Sequence, residues 1–114
     1  MAYNAASGEE TLREALLLGL EDATIWNRIG TLYADFSHDY RRAIEFYDRA
    51  ILISPRSPVF HFNKAKALVS GFYDYAAARY CLSQARALKA NLWSWYKQNQ
   101  PHIDELKRVI DANL

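Results

Sequence analysis

Residues 26–55 read WNRIGTLYADFSHDYRRAIEFYDRAILISP, and small residues recur there beside aromatic ones at helical spacing. Side chains three and four residues apart share one face of a helix. The first such face carries Trp26, Ile29, Gly30 and Tyr33, and the second carries Ala43, Phe46, Tyr47 and Ala50. Asp39 can cap the second helix, and Pro55 prevents it from continuing. The segment therefore predicts two helices joined by a short turn near residues 37–39.

The same pattern returns after a shift of 35 residues. Four positions are identical between the two copies: Asp39 and Asp74, Tyr40 and Tyr75, Ala43 and Ala78, and Ala50 and Ala85. Gly30 falls on Ala65, so the small residue at the point of closest helix approach is kept. A period of this size predicts a stack of helical hairpins, in which each pair buries the face of its neighbour.

Residues that start and stop helices divide the rest of the chain. Ser7 and Glu10 form a capping box before a helix over residues 8–20. Pro58 suits a first helical turn, Gly71 suits a left-handed C-cap, and Pro101 is expected to kink or restart the last segment. We expect no strands, and further helices over residues 23–36, 40–53, 58–70, 75–89, 92–100 and 102–113.

This combination resembles the tetratricopeptide repeat (TPR) family, in which Trp, Leu, Gly and Tyr on a first helix are followed by Ala, an aromatic, Ala and Pro on the second. The resemblance implies an all-α fold, a short right-handed α-solenoid of antiparallel helix-turn-helix repeats, in a single domain over residues 1–114. Repeat 1 would span residues 23–55 and repeat 2 residues 58–90, between an N-terminal helix (8–20) and a C-terminal capping helix or helices (92–113). The second repeat departs from the pattern, with His61, Lys64 and Ala90 in the Trp, Leu and Pro positions.

The resemblance also implies a binding surface, because TPR stacks bind partners on the concave face lined by the first helix of each pair. It places six residues on that face: Asn27, Thr31, Phe62, Asn63, Lys66 and Lys97. Asn and Lys side chains there can hold a peptide backbone or a carboxylate, and Phe62 offers an apolar contact. Only Asn63 matches the residue set with which some members clamp a C-terminal carboxylate. The alternative is that these are ordinary solvated positions.

A second candidate surface lies near the C-terminus, where three large aromatic residues cluster: Trp93, Trp95 and Tyr96. They either seal the end of the stack against the fifth helix or form an exposed aromatic patch. An exposed patch would favour self-association.

The net charge of +1 predicts neither a nucleic-acid-binding protein nor an acidic tail. Its distribution is uneven. Residues 1–24 carry five acidic residues against one arginine, whereas residues 56–103 carry seven basic residues against Asp74. The basic excess is either a solvated face or a preference for an acidic partner. A period of 35 also fits the pentatricopeptide family, which reads single-stranded RNA. Two repeats would hold too few bases for that, so we expect no nucleic acid.

No residue pattern predicts catalysis, a metal site or a cofactor. The three histidines lack a second ligand at metal spacing, and no glycine-rich phosphate loop exists. Cys81 aligns with Phe46 in the repeat and is expected to face the core. A single cysteine, no apolar run of membrane-spanning length and no signal-peptide pattern in residues 1–8 predict a cytoplasmic protein without membrane insertion.

The function expected from these observations is protein binding without chemistry. The chain would act as an adaptor, scaffold or assembly factor that holds a peptide or partner segment, not as an enzyme. The alternative is a structural subunit that self-associates as a homo-oligomer or caps a larger complex through its aromatic C-terminal end.

Overall fold

The computed structural model describes residues 22–114, and within them the chain forms five α-helices and no strand. The helices are α1 (Ala23–Leu32), α2 (Tyr40–Ile53), α3 (Pro58–Phe72), α4 (Tyr75–Ala87) and α5 (Trp93–Ala112). The predicted all-α class is confirmed. The predicted helix over residues 8–20 lies outside the described residues.

Aspartates begin three of the helices, and one of them is the cap that the sequence predicts at Asp39. The Asp22 carboxylate accepts from the Thr24 amide at 2.9 Å. Asp39 and Asp74 each accept from the amide three residues later, at 3.2 and 3.1 Å. Each carboxylate satisfies one of the amides that the first turn of a helix leaves without a partner.

Each of the two hairpin turns contains one residue in the left-handed conformation, and the two residues are 35 positions apart. After α1 comes one π-helical turn (Tyr33–Ser37), and then His38 at φ 51°; α3 ends before Tyr73, also at φ 51°. Gly71 is therefore not the C-cap that the sequence suggested. It lies inside α3, where an added Cβ would come within 2.4 Å of the Cβ of Tyr40. A glycine is needed there because α2 begins against that point.

The last helix also differs from the prediction. Pro101 neither restarts nor ends it, since α5 runs from Trp93 to Ala112 with the proline inside. Proline removes one backbone donor from a helix interior. Packing of the residues on either side keeps the helix continuous, because Tyr96 and Ile103 are both buried in the same cluster. A 3₁₀ turn (Lys89–Leu92) joins α4 to α5.

Consecutive helices pack antiparallel. Trp26 at the start of α1 lies under the Arg49 guanidinium near the end of α2, 4.5 Å from the ring centroid. Gly71 near the end of α3 lies against Tyr40 at the start of α2, so the direction reverses again. Helices α1 and α3 consequently run the same way.

Within residues 22–114 the core consists of two clusters, each centred on one hairpin. The first is formed mainly by α1 and α2 around Trp26 and Tyr47, and the second by α3, α4 and α5 around Leu82 and Ile103. Small residues allow the helices to approach at equivalent positions in both hairpins. Five alanines among the described residues have no exposed surface: Ala43, Ala50, Ala65, Ala78 and Ala85.

Candidate functional site

The facing sides of α1, α3 and α5 form a groove, and α3 divides it into two depressions. The depression between α1 and α3, here called the polar depression, has a volume of about 300 Å³. The one between α3 and α5, here called the apolar depression, has about 450 Å³. The side chain of Lys66 lines both.

The polar depression is held in shape by hydrogen bonds among its own side chains. Asn63 Nδ2 donates to Asn27 Oδ1 at 2.9 Å, which joins α3 to α1. The Thr31 and Tyr47 hydroxyls share a hydrogen bond of 3.1 Å, and burial raises the pKa of the Tyr47 phenol. Its lining residues are Thr31, Ala34, Asp35, His38, Tyr40, Tyr47, Asn63, Lys66, Ala67 and Ser70.

The apolar depression has aliphatic and aromatic residues along its length, with polar groups between them. Phe62 is only 4% exposed, and its ring meets Trp95 edge-on at 5.8 Å between centroids. Asn99 is fixed because its amide donates to the Trp95 carbonyl at 2.9 Å. The complete lining is Phe62, Lys66, Val69, Asn99, His102, Glu105, Leu106 and Val109.

Lys66 occupies the boundary between the two depressions. It is exposed, and its ammonium lies 5.4 Å from the centroid of the Phe62 ring. No carboxylate lies within ion-pair distance of it among residues 22–114. The charge of Lys66 is therefore available to an anionic group of a bound molecule.

The structure brings together five of the six residues that the sequence placed on the concave face. Thr31 and Asn63 line the polar depression, Phe62 lines the apolar one, and Lys66 lines both. Asn27 lines neither depression, but it accepts the hydrogen bond from Asn63. Lys97 is exposed but lines neither depression. It lies about 200° around α5 from Trp95, which faces α3, because each residue advances a helix by about 100°.

Sequence reasoning missed the part of the groove that α5 contributes. Asn99, His102, Leu106 and Val109 share one face of this helix at spacings of three and four residues. That spacing was present in the sequence. The expected interruption at Pro101 hid it, because a break there would have changed the phase of the residues that follow.

The three aromatic residues at the start of α5 differ in burial. Tyr96 is buried, and Trp95 packs on the second cluster. Trp93 is 52% exposed and stacks on Tyr96 with 6.2 Å between ring centroids. Only Trp93, with the neighbouring exposed Leu92, leaves an apolar surface at this end.

Comparisons with known proteins give this chain no relative. No family model, no curated protein and no solved structure matches it.

Groups that could carry chemistry are separate from one another. Cys81 is buried, as the repeat alignment predicted, and burial raises the pKa of its thiol. His61 donates from Nε2 to the Pro55 carbonyl at 2.8 Å, a contact that fixes the loop between α2 and α3. Between Asp22 and Leu114, no three His, Cys, Asp or Glu side chains converge as metal ligands would, and no helix could cross a membrane.

Proposed function

We propose that this protein is a TPR-like interaction module that binds a segment of a partner protein in the groove along α1, α3 and α5. Its mechanism is a preformed shape with a few polar contacts and no chemical step, in keeping with an adaptor, scaffold or assembly factor of the cytoplasm. The observation that carries the proposal is Lys66, a cation that lies between an apolar depression and a polar one and has no ion-pair partner among residues 22–114.

The assignment to a right-handed TPR-like solenoid is supported by features that recur every 35 residues. These are the left-handed residues His38 and Tyr73, the capping aspartates Asp39 and Asp74, and the fully buried alanines of α2 and α4. The outward face of α5 fits a terminal cap, because it is polar and exposed. Its residues are Ser94, Lys97, Gln98, Pro101, Asp104 and Arg108.

The chemistry of the groove favours a partner segment that carries both an apolar side chain and a carboxylate. The apolar group would enter between Phe62 and Leu106, where contact with aliphatic carbon replaces contact with water. The carboxylate would accept from Lys66. Amide groups of Asn63 and Asn99, both already oriented by internal hydrogen bonds, are placed to meet a peptide backbone.

The test begins with peptides selected from a random library on the full chain, with a recurring sequence as the first requirement. Binding of a selected peptide is then measured by calorimetry for wild type, Lys66→Glu and Lys97→Glu. The two variants make the same charge change at exposed helical lysines, but only Lys66 lines the groove. We expect Lys66→Glu to weaken binding about tenfold or more and Lys97→Glu to leave it within about twofold. Equal effects of the two variants would remove the groove from the function.

A second candidate function is structural, and the exposed Trp93 is the observation that favours it. In this role the chain self-associates or caps a larger complex through Trp93 and Leu92. Replacing Trp93 with Ser should then lower the mass of the assembly measured by light scattering at high protein concentration. An unchanged mass would exclude Trp93 as the contact.

A further inference from the structure

The polar depression contains an acidic side chain that the function proposed above does not use. Asp35 lies in the π-helical turn after α1, is exposed, and lines the depression together with Lys66 of α3. Among residues 22–114 no cation lies within ion-pair distance of the Asp35 carboxylate, and Lys66 is no exception. One negative and one positive charge therefore line the same depression without pairing, and both are available to a bound molecule.

Three further polar side chains of the depression can accept hydrogen bonds. Asn63 uses its Nδ2 to donate to Asn27, which leaves Asn63 Oδ1 without a partner among the described residues. The hydroxyls of Thr31 and Tyr47 share one hydrogen bond, so each oxygen keeps a lone pair. A guanidinium carries five N–H donors and an ammonium three, and neither carries an acceptor. The hydrogen-bonding groups of the depression thus suit a basic side chain.

The size and walls of the depression agree with such an occupant. Its volume of about 300 Å³ is at the lower end for ligand pockets, so it suits one side chain better than a separate molecule. The rings of Tyr40 and Tyr47 line it, and aromatic rings attract cations. Burial raises the pKa of the Tyr47 phenol, and the negative charge of Asp35 also raises it, so this carboxylate acts on the interior of the depression.

We propose that the polar depression binds a basic side chain (arginine or lysine) of the partner segment, and that Asp35 is the residue that selects it. The inference rests on the function proposed above and adds one more feature to the segment that the groove recognises. Lys66 lines both depressions, so the groove presents an anion, then a cation, then an apolar surface. A complementary segment carries a basic, an acidic and an apolar side chain in that order. Its acidic group, held by Lys66, would lie between the two cations and limit their repulsion.

The width of α3 sets the spacing of these side chains in the partner. The two depressions lie on either side of this helix. A helix with its side chains is about 10 to 12 Å across, and an extended chain advances about 3.3 Å per residue. An extended segment that crosses α3 would therefore carry its basic and apolar residues about three or four positions apart.

The experiment selects peptides from a random library on the full chain, with wild type and separately with Asp35→Lys. We expect the peptides selected by wild type to share a basic residue about three or four positions from an apolar one. Selection by Asp35→Lys should put an acidic residue at the basic position. An acidic or uncharged residue at that position in the wild-type selection would overturn the inference.

Calorimetry with one peptide selected by wild type then tests the contact itself. Asp35→Asn removes the charge with little change in shape, and Asp104→Asn makes the same change at an exposed aspartate of α5 that lines neither depression. We expect Asp35→Asn to weaken binding about three- to fivefold at low salt, as loss of an exposed ion pair does, and less at high salt. Asp104→Asn should leave the Kd within about 1.5-fold of the wild-type value.

A second peptide, with glutamine in place of the basic residue, completes a double-mutant cycle. If the two charges meet, Asp35→Asn weakens binding of the original peptide but not of the glutamine peptide. Equal weakening of both peptides would overturn the inference, and circular dichroism checks that the variants keep their helices. Binding that depends on Lys66 but not on Asp35 would overturn the inference and leave the proposed function in place. Binding that depends on neither residue would remove both.

Discussion

Gly30 is the position at which the packing of the first hairpin can be tested most sharply. An added Cβ would lie 2.8 Å from Tyr47 Cε1 and 3.0 Å from the Ala43 carbonyl oxygen. The oxygen belongs to the backbone of α2 and cannot turn away. The Tyr47 ring is 3% exposed, and its hydroxyl shares a hydrogen bond with Thr31, so it cannot swing outward without breaking that bond.

The expected effect of Gly30→Ala follows from two opposing terms. Alanine in a helix interior is favoured over glycine by about 1 kcal/mol. Overpacking a close contact costs about 1 to 3 kcal/mol, and loss of the Tyr47 hydrogen bond adds about 1 kcal/mol. The steric term wins, and we expect the free energy of unfolding to fall by about 1 to 3 kcal/mol.

The second hairpin suggests a substitution at Tyr47 that would relieve the clash caused by Gly30→Ala. At the equivalent positions it carries Ala65 and Leu82, both buried in the second cluster. Tyr47→Leu alone should destabilise the protein by about 2 kcal/mol, through lost ring contacts and the lost hydrogen bond. In the double variant Gly30→Ala/Tyr47→Leu the alanine has room. We therefore expect a favourable coupling between the two substitutions of about 2 to 4 kcal/mol, the sum of the overpacking and hydrogen-bond terms of Gly30→Ala.

Urea unfolding followed by circular dichroism measures all four members of this cycle. Ser70→Ala, at an exposed position of α3, controls for helix propensity and should change stability by about 0.5 kcal/mol at most. Additive effects within about 0.5 kcal/mol would refute the reasoning, since they would mean that Gly30 and Tyr47 do not limit each other. A stabilising Gly30→Ala would do the same.

Three further substitutions test other features of the fold. Tyr73→Gly should raise the free energy of unfolding by about 1 kcal/mol in urea titration, because Tyr73 has φ 51° and its side chain is 72% exposed; no gain would contradict the left-handed turn. Pro101→Ala should raise the free energy of unfolding by about 1 to 3 kcal/mol in urea titration, since it restores a backbone donor in mid-helix. A weaker helical circular dichroism signal in this variant would contradict a helix that continues through position 101. The folded-state pKa of Cys81 is raised above 9.0, so its contribution to stability is present below that pH and is lost as pH rises through the folded pKa. Cys81→Ala should therefore lose less stability than wild type between pH 7 and pH 10 in urea titrations, and an equal loss would refute a buried thiol.

Local signals made most of the helical architecture predictable. An aspartate before a helix acts on amides two or three residues away, so its role can be identified without knowing the tertiary structure. The caps at Asp22, Asp39 and Asp74 belong to this class. The buried alanines were equally accessible, because the shift of 35 residues aligns them in both hairpins.

The missed features depend on contacts between distant residues. Gly71 has the residue type of a C-cap, but Tyr40, more than thirty residues earlier, fixes its place inside α3. Pro101 looks like a break until Tyr96 and Ile103 are known to be buried on either side of it. The position of Lys97 depends on the rotation of α5 about its axis, which the packing of Trp95 against Phe62 sets. No short stretch of sequence carries that information.

The departures of the second hairpin from the regular repeat help to separate structural residues from functional ones. Lys64 stands where the pattern has Leu, and its ion pair with Asp48 accounts for it. His61 stands where the pattern has Trp, and its hydrogen bond to the Pro55 carbonyl fixes a loop. Lys66 makes no ion pair among residues 22–114: its ammonium lies over the Phe62 ring, between the two depressions. A carboxylate of a bound segment would give this cation the ion-pair partner that the described residues do not supply.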